Sequence, residues 1–123
     1  MALSASARPS SAPAPADAAE PAVVDLAIVG GGPVGLYAAY YAGFRGLSVR
    51  LFEALPELGG QIAAFYPDSN VYDAPGFPAI TGRDLVLRLE EQARRFPIEL
   101  RLGEEVVGLR AEGQQLALEA RST

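Results

Sequence analysis

The 123-residue chain has no Cys, no His and no Trp, and all ten of its basic residues are Arg. Without Cys there is no disulfide framework, thiolate metal site or cysteine redox centre. Without His the commonest general base and metal ligand is gone. Without Lys neither a Walker-type phosphate lysine nor a Schiff base is available. A net charge of -5 argues against nucleic acid and against anionic membrane surfaces as partners. The length allows one domain at most, and half of the residues are hydrophobic, enough for a core.

Large apolar residues are also missing from the beginning. Residues 1–22 are an Ala/Pro/Ser stretch with no periodicity and only Leu3 as a large aliphatic after Met1, so a disordered leader is expected there. It lacks the apolar centre of a secretory signal, and one Arg beside Asp17 and Glu20 does not suit a transit peptide, which points to the cytoplasm.

What is present is concentrated in Asp25 to Glu53. Leu26-Ala27-Ile28-Val29 is apolar without alternation, the pattern of a central parallel strand buried on both faces. Gly30, Gly32 and Gly35 follow in G-x-G-x-x-G spacing, for a tight turn, close backbone approach to a pyrophosphate and close helix–strand packing respectively. Pro33 suits a first helical turn, where its missing N–H costs nothing. A helix from Val34 to about Phe44 would aim its unpaired N–H groups and positive dipole end at an anion over the glycines. Gly46 ends it.

A second strand, 48–53, places Glu53 at its carboxyl end, 18 residues after Gly35. A carboxylate there can accept hydrogen bonds from the ribose hydroxyls of an adenosine and repels a 2′-phosphate, favouring FAD or NAD over NADP. Residues 26–44 carry no charge and approach the length of a membrane span, but Gly30-Gly31-Gly32-Pro33 would break such a helix. No membrane association is expected.

Residues 54–80 form a long Gly/Pro-rich connection. Gly59-Gly60 opens a short helix to about Phe65, offering further backbone donors. Gln61 adds a side-chain amide, and Tyr66 a ring that can lie on a flat heterocycle. Ordinary core packing is the other reading of these aromatics. Thr81 caps a helix, with Asp84 three residues on. Leu85, Val86, Leu89, Ala93 and Phe96 recur at helical spacing as its apolar face. Asp84–Arg88, Glu90–Arg94 and Glu91–Arg95 form its wet face. Ile98–Leu102 is the third strand, and 106–111 and 114–120 form a hairpin about Glu112-Gly113. The fold class is α/β, a Rossmann-like doubly wound parallel sheet with an antiparallel excursion, over 23–123.

On the segments IVGGGPVGLYAAYYAGFRG, LFEALPELGGQIAAFYP and VYDAPGFPAITGRDL, the chain resembles the amino-terminal FAD-binding part of thioredoxin-reductase-like flavoproteins. Among them it is most similar to the bacterial ferredoxin–NADP reductases. The acid followed by Leu-Pro-x-Leu-Gly-Gly-Gln and then Tyr-Pro is much more specific than the glycine spacing. The resemblance implies that Glu53 holds the adenosine ribose of FAD, that Gln61 and Tyr66 contact the flavin end, and that Val106 meets the adenine through its backbone, with Gly60 also among the cofactor-binding residues.

It also implies hydride transfer from NADPH to FAD, single electrons to ferredoxin, and a homodimer for the full-length family. The flavin does the bond chemistry, so no catalytic residue and no metal ligand is assigned. The family's NADPH-binding domain and its returning Gly-Asp segment are absent from these 123 residues. The expectation is an incomplete FAD-binding domain from a truncated or split reductase, not active alone. Its unpaired apolar sheet edge should be prone to aggregation. A non-catalytic FAD-binding remnant, a fragment of a thioredoxin-reductase-like or other NAD(P)H-dependent flavin enzyme, and an NAD-dependent enzyme are the alternatives. The last leaves Gly59-Gly60-Gln61 without a task.

Overall fold

A computed structural model describes residues 23–123. The leader expected over 1–22 lies outside the described residues. Three parallel strands, β1 (Leu26–Val29), β2 (Val49–Glu53) and β5 (Ile98–Leu102), form one sheet in the order β1-β2-β5. Helix α1 (Pro33–Phe44) connects β1 to β2. Between β2 and β5 come the short helix α2 (Gly60–Phe65), the two-residue strands β3 (Asn70–Val71) and β4 (Ile80–Thr81), and α3 (Gly82–Ala93). A hairpin of β6 (Glu104–Glu112) and β7 (Gln115–Ser122) ends the chain.

The register sorts the sheet into two unlike faces. Leu26, Val49 and Ile98 form one row and Ile28, Leu51 and Leu100 another, all apolar. These rows meet Leu36, Ala39 and Ala42 of α1 and Val86 and Ala93 of α3 in the core. The alternate rows are Ala27, Arg50 and Glu99, then Val29, Phe52 and Arg101. Here Glu99 bridges Arg50 (2.7 Å) and Arg101 (2.8 Å). Partial burial pushes the Glu99 carboxyl up, but the hydrogen bonds and charges of the two arginines outweigh it and hold it below its ordinary value.

Strand β1 is therefore not buried on both faces, contrary to the reading of its unbroken apolar run. Leu26 and Ile28 pack on the core, while Ala27 is exposed and Val29 is 61% exposed. The reason is topological. Crossovers in parallel sheets are right-handed, and strands added successively in one direction put their helices on one side. Covering the other face takes a reversal of direction at β1, as in the strand order 3-2-1-4-5-6. Within the described residues, only β2 pairs with β1.

The predicted helices and third strand are in place. Thr81 Oγ1 accepts the Asp84 N–H at 3.2 Å, as an N-cap should. Leu85, Val86 and Ala93 are buried, with Leu89 and Phe96 half-buried beside them. The Phe96 ring extends the contact to Tyr40 and Phe44 of α1. On the wet face Glu90 pairs with Arg94 as expected, whereas Arg88 pairs with Glu91 rather than Asp84.

Three local expectations change. The hairpin strands run longer than read, and they turn at Gly113-Gln114, where Gly113 takes φ 63°. The ribbon β3–β4 has only two residue pairs, too few for a period-2 pattern to show. Phe65, Tyr66 and Tyr72 lie exposed, so they are not core. The uncharged 26–44 stretch divides into β1, a turn and α1, and no helix among the described residues is long and apolar enough to cross a membrane.

At the opposite end of the sheet, Asp25 Oδ2 accepts both the Ser48 N–H (2.8 Å) and the Ser48 hydroxyl (2.7 Å). The backbone bond and then the hydroxyl bond lower its pKa. The clasp aligns the starts of β1 and β2.

Candidate functional site

The site lies at the carboxyl ends of β1 and β2, where α/β sheets hold their ligands. Gly30 leaves β1 with φ 107°, a conformation that favours glycine, and donates its N–H to the Phe52 carbonyl at 2.8 Å. Gly32 is the N-cap of α1, Pro33 takes the first helical position, and no side chain caps the helix. Its first amides thus have neither an intrahelical acceptor nor a side-chain acceptor, the arrangement that receives anions. Gly35 packs against the turn so closely that a Cβ there would run into the Gly30 carbonyl.

Glu53 ends β2 only 8% exposed. Its Oε2 accepts the Gly31 N–H at 2.7 Å and its Oε1 accepts the Leu55 N–H at 2.9 Å. A carboxylate has about four lone-pair sites, so two partners leave acceptor capacity for hydroxyl groups. Its negative charge disfavours a phosphate at the same spot.

The second glycine pair comes to the first. Gly59 donates its N–H to the Gly31 carbonyl at 2.9 Å, and a Cβ on Gly60 would lie 3.1 Å from the Gly32 Cα. Helix α2 therefore begins directly against the beginning of α1. Gly30, Gly32, Pro33, Gly35, Glu53 and Gly60 form one constellation. Gln61 and Tyr66 lie outward from it: Gln61 is exposed, and the Tyr66 ring, 61% exposed, makes an edge contact with Phe65.

Val106 lies on the terminal hairpin, whose ends are fastened to the chain after β2. Gly103 donates its N–H to the Leu55 carbonyl (3.0 Å), and the Thr123 hydroxyl bonds the Ala54 carbonyl (2.9 Å). Both ends of the hairpin are thereby tied to the residues following Glu53. Val106 pairs with Ala120 and is half-buried.

Gly31 is the residue sequence reasoning passed over. It occupies a free position of the G-x-G template, yet it holds Glu53 through its N–H and Gly59 through its carbonyl. The third consecutive glycine was the available signal. Two cavities, of about 340 Å³ between α3 and the sheet and about 570 Å³ beside α1, are lined by neither the turn nor Glu53.

Comparison with known proteins places this arrangement. Residues 28–84 match the family model of the NAD(P)-binding Rossmann-like domain. The ferredoxin–NADP reductase of Lactiplantibacillus plantarum is 55% identical over 82 residues, 67% of this chain and 25% of that protein. The ferredoxin–NADP reductase of Salinispora tropica is 61% identical over 80 residues, 65% of this chain and 25% of that protein. Among solved structures, the thioredoxin reductase of T. acidophilum superposes with a TM-score of 0.69 at 30% identity, covering 79% of this chain and 30% of that one. The chain spans about a quarter of the length of these two curated relatives. Over the matched residues the chain is similar in sequence to ferredoxin–NADP reductases and in fold to a thioredoxin reductase.

Proposed function

We propose that this chain is the FAD-binding portion of a flavoprotein oxidoreductase. The observation that carries the reading is the joining of three elements at one point: the uncapped beginning of α1, the buried acid ending β2, and the Gly59-Gly60 start of α2. The residues fit the group. The free amides at Gly32 and beyond suit a pyrophosphate, and the remaining lone pairs of Glu53 suit the ribose hydroxyls of the adenosine half. The backbone at Val106, on the hairpin whose ends bond Leu55 and Ala54 through Gly103 and Thr123, suits the adenine. Gln61 and Tyr66 stand on the α2 side with an exposed amide and ring for the flavin half. The charge of Glu53 selects FAD or NAD here and rejects NADP.

When bound, FAD supplies the redox chemistry, accepting hydride from NADPH and releasing electrons singly to ferredoxin, the pair named for the relatives. The chain's own residues hold and orient it. NADPH turnover belongs to the whole enzyme, of which this chain corresponds to about a quarter. The description of the matched family as NAD(P)-binding favours one second reading, NAD in the same site.

Calorimetric titration of the 123-residue chain with FAD, NAD and NADP separates the readings. Binding of FAD and no binding of NADP is expected. Binding of NAD without FAD would establish the second reading. No heat with either, even with the remaining three quarters of a relative supplied in trans, would overturn both.

A further inference from the structure

We propose that Glu53 and Gly59 are positioning residues that hold the two peptide units flanking the Gly31 Cα, one each, and so preset the anion-binding turn. The inference rests on the dinucleotide reading above and adds to it. Glu53 then acts on the turn itself, apart from any bond to a ribose.

The geometry of Gly31 carries it. Its N–H lies 2.7 Å from Glu53 Oε2, in a buried setting, and its carbonyl lies 2.9 Å from the Gly59 nitrogen. The other carboxylate oxygen holds the Leu55 N–H at 2.9 Å, so one side chain fastens the turn to the chain leaving β2. A side chain on Gly31 would require Leu58 or Glu53 to shift. A Cβ on Gly31 would lie 2.7 Å from Leu58 Cδ2 and 3.1 Å from Glu53 Oε2. The next residue, Gly32, is the uncapped N-cap of α1, and its N–H shares a peptide plane with the Gly31 carbonyl, so the Gly59 bond sets its direction while Glu53 fixes the peptide unit before it.

Electrostatics makes the proposal separable from the ribose role. A carboxylate beside a pyrophosphate is repulsive, so neutralising it should tighten anion binding if the acid touches only the ribose. A clamp predicts the opposite sign. The Gln amide has one acceptor oxygen and an NH₂ group that cannot accept, so Glu53→Gln satisfies only one of the Gly31 and Leu55 amides. Where the Gly31 amide is the one released, the Gly30–Gly31 peptide unit can then rotate about the Gly31 Cα.

The test uses the 123-residue chain, wild type and E53Q, titrated with FAD and with an FAD analogue whose adenosine ribose lacks both hydroxyls. E53Q is expected to weaken the dideoxy analogue about tenfold, the worth of one buried charge-assisted bond. Unchanged or tighter binding of the analogue would overturn the clamp while leaving FAD binding intact. Amide exchange in the unliganded wild type decides the matter if E53Q does not fold or no ligand binds. The Gly31 amide should exchange at least about tenfold more slowly than the uncapped Gly32 amide. Equal rates would overturn the clamp. Slow Gly31 exchange without binding of either ligand, even with the remaining three quarters of a relative supplied in trans, would keep the clamp and remove the dinucleotide reading.

Discussion

The two faces of the parallel sheet are built from the same three strands and have little else in common. Toward α1 and α3, rows Leu26-Val49-Ile98 and Ile28-Leu51-Leu100 are apolar across all three strands. On the reverse, Arg50, Glu99 and Arg101 form an ion-paired group, Phe52 of the central strand is buried, and Val29 stands 61% exposed at the edge strand. The difference teaches that an apolar strand is a statement about what can cover it, and that the direction in which strands are added decides whether anything does. The functional constellation grows from the rim where the covered face ends, with Glu53 following Leu51 on the same side of β2.

The contrast can be broken by measurement. The largest effect is expected from Leu51→Ala, since Leu51 is 0% exposed at the centre of the covered face. It should cost about 2–5 kcal/mol in chemical denaturation. A loss under about 1 kcal/mol would mean that this face is not the core.

Glu99→Gln tests the reverse face. Its carboxyl is 38% exposed, so screening limits the loss at neutral pH to about 1 kcal/mol or less. Because the folded-state pKa is lowered, the contribution is present above the unfolded-state value and is lost as pH falls through the folded one. The gap between wild type and E99Q should therefore close in acid. A gap that stays constant with pH would assign the effect to packing.

The smallest effect is expected from Val29→Thr, which keeps the shape and puts a hydroxyl on the exposed side. It should change stability by no more than about 0.5 kcal/mol. A loss of 2 kcal/mol or more, as in burying an unpartnered hydroxyl, would show that a partner covers this face in solution (~1–3 kcal/mol).

The local rules were legible wherever one short segment carries its own signal. The glycine spacing and Pro33 marked the beginning of α1, Thr81 marked that of α3, and alternation marked β5. Glu53 stood out as the acid closing β2, and Gly59-Gly60 as the opening of a short helix. Each rests on backbone conformation, hydrogen-bond capping or side-chain period, which neighbours in sequence settle among themselves.

Other features needed contacts between distant segments. Gly31 is an arbitrary position in the template until Glu53, Leu58 and Gly59 close around it. Composition alone left the aromatics of residues 65–72 open between core and ligand surface, and packing left Phe65, Tyr66 and Tyr72 exposed. The hairpin that carries Val106 is fastened to the chain after β2 through Gly103 and Thr123. The sequence thus decided the βαβ unit, the turn and the acid, because sterics and capping act within a few residues. Tertiary structure decided which strand face is covered and how the turn is held, because burial and long-range hydrogen bonds depend on which segments meet.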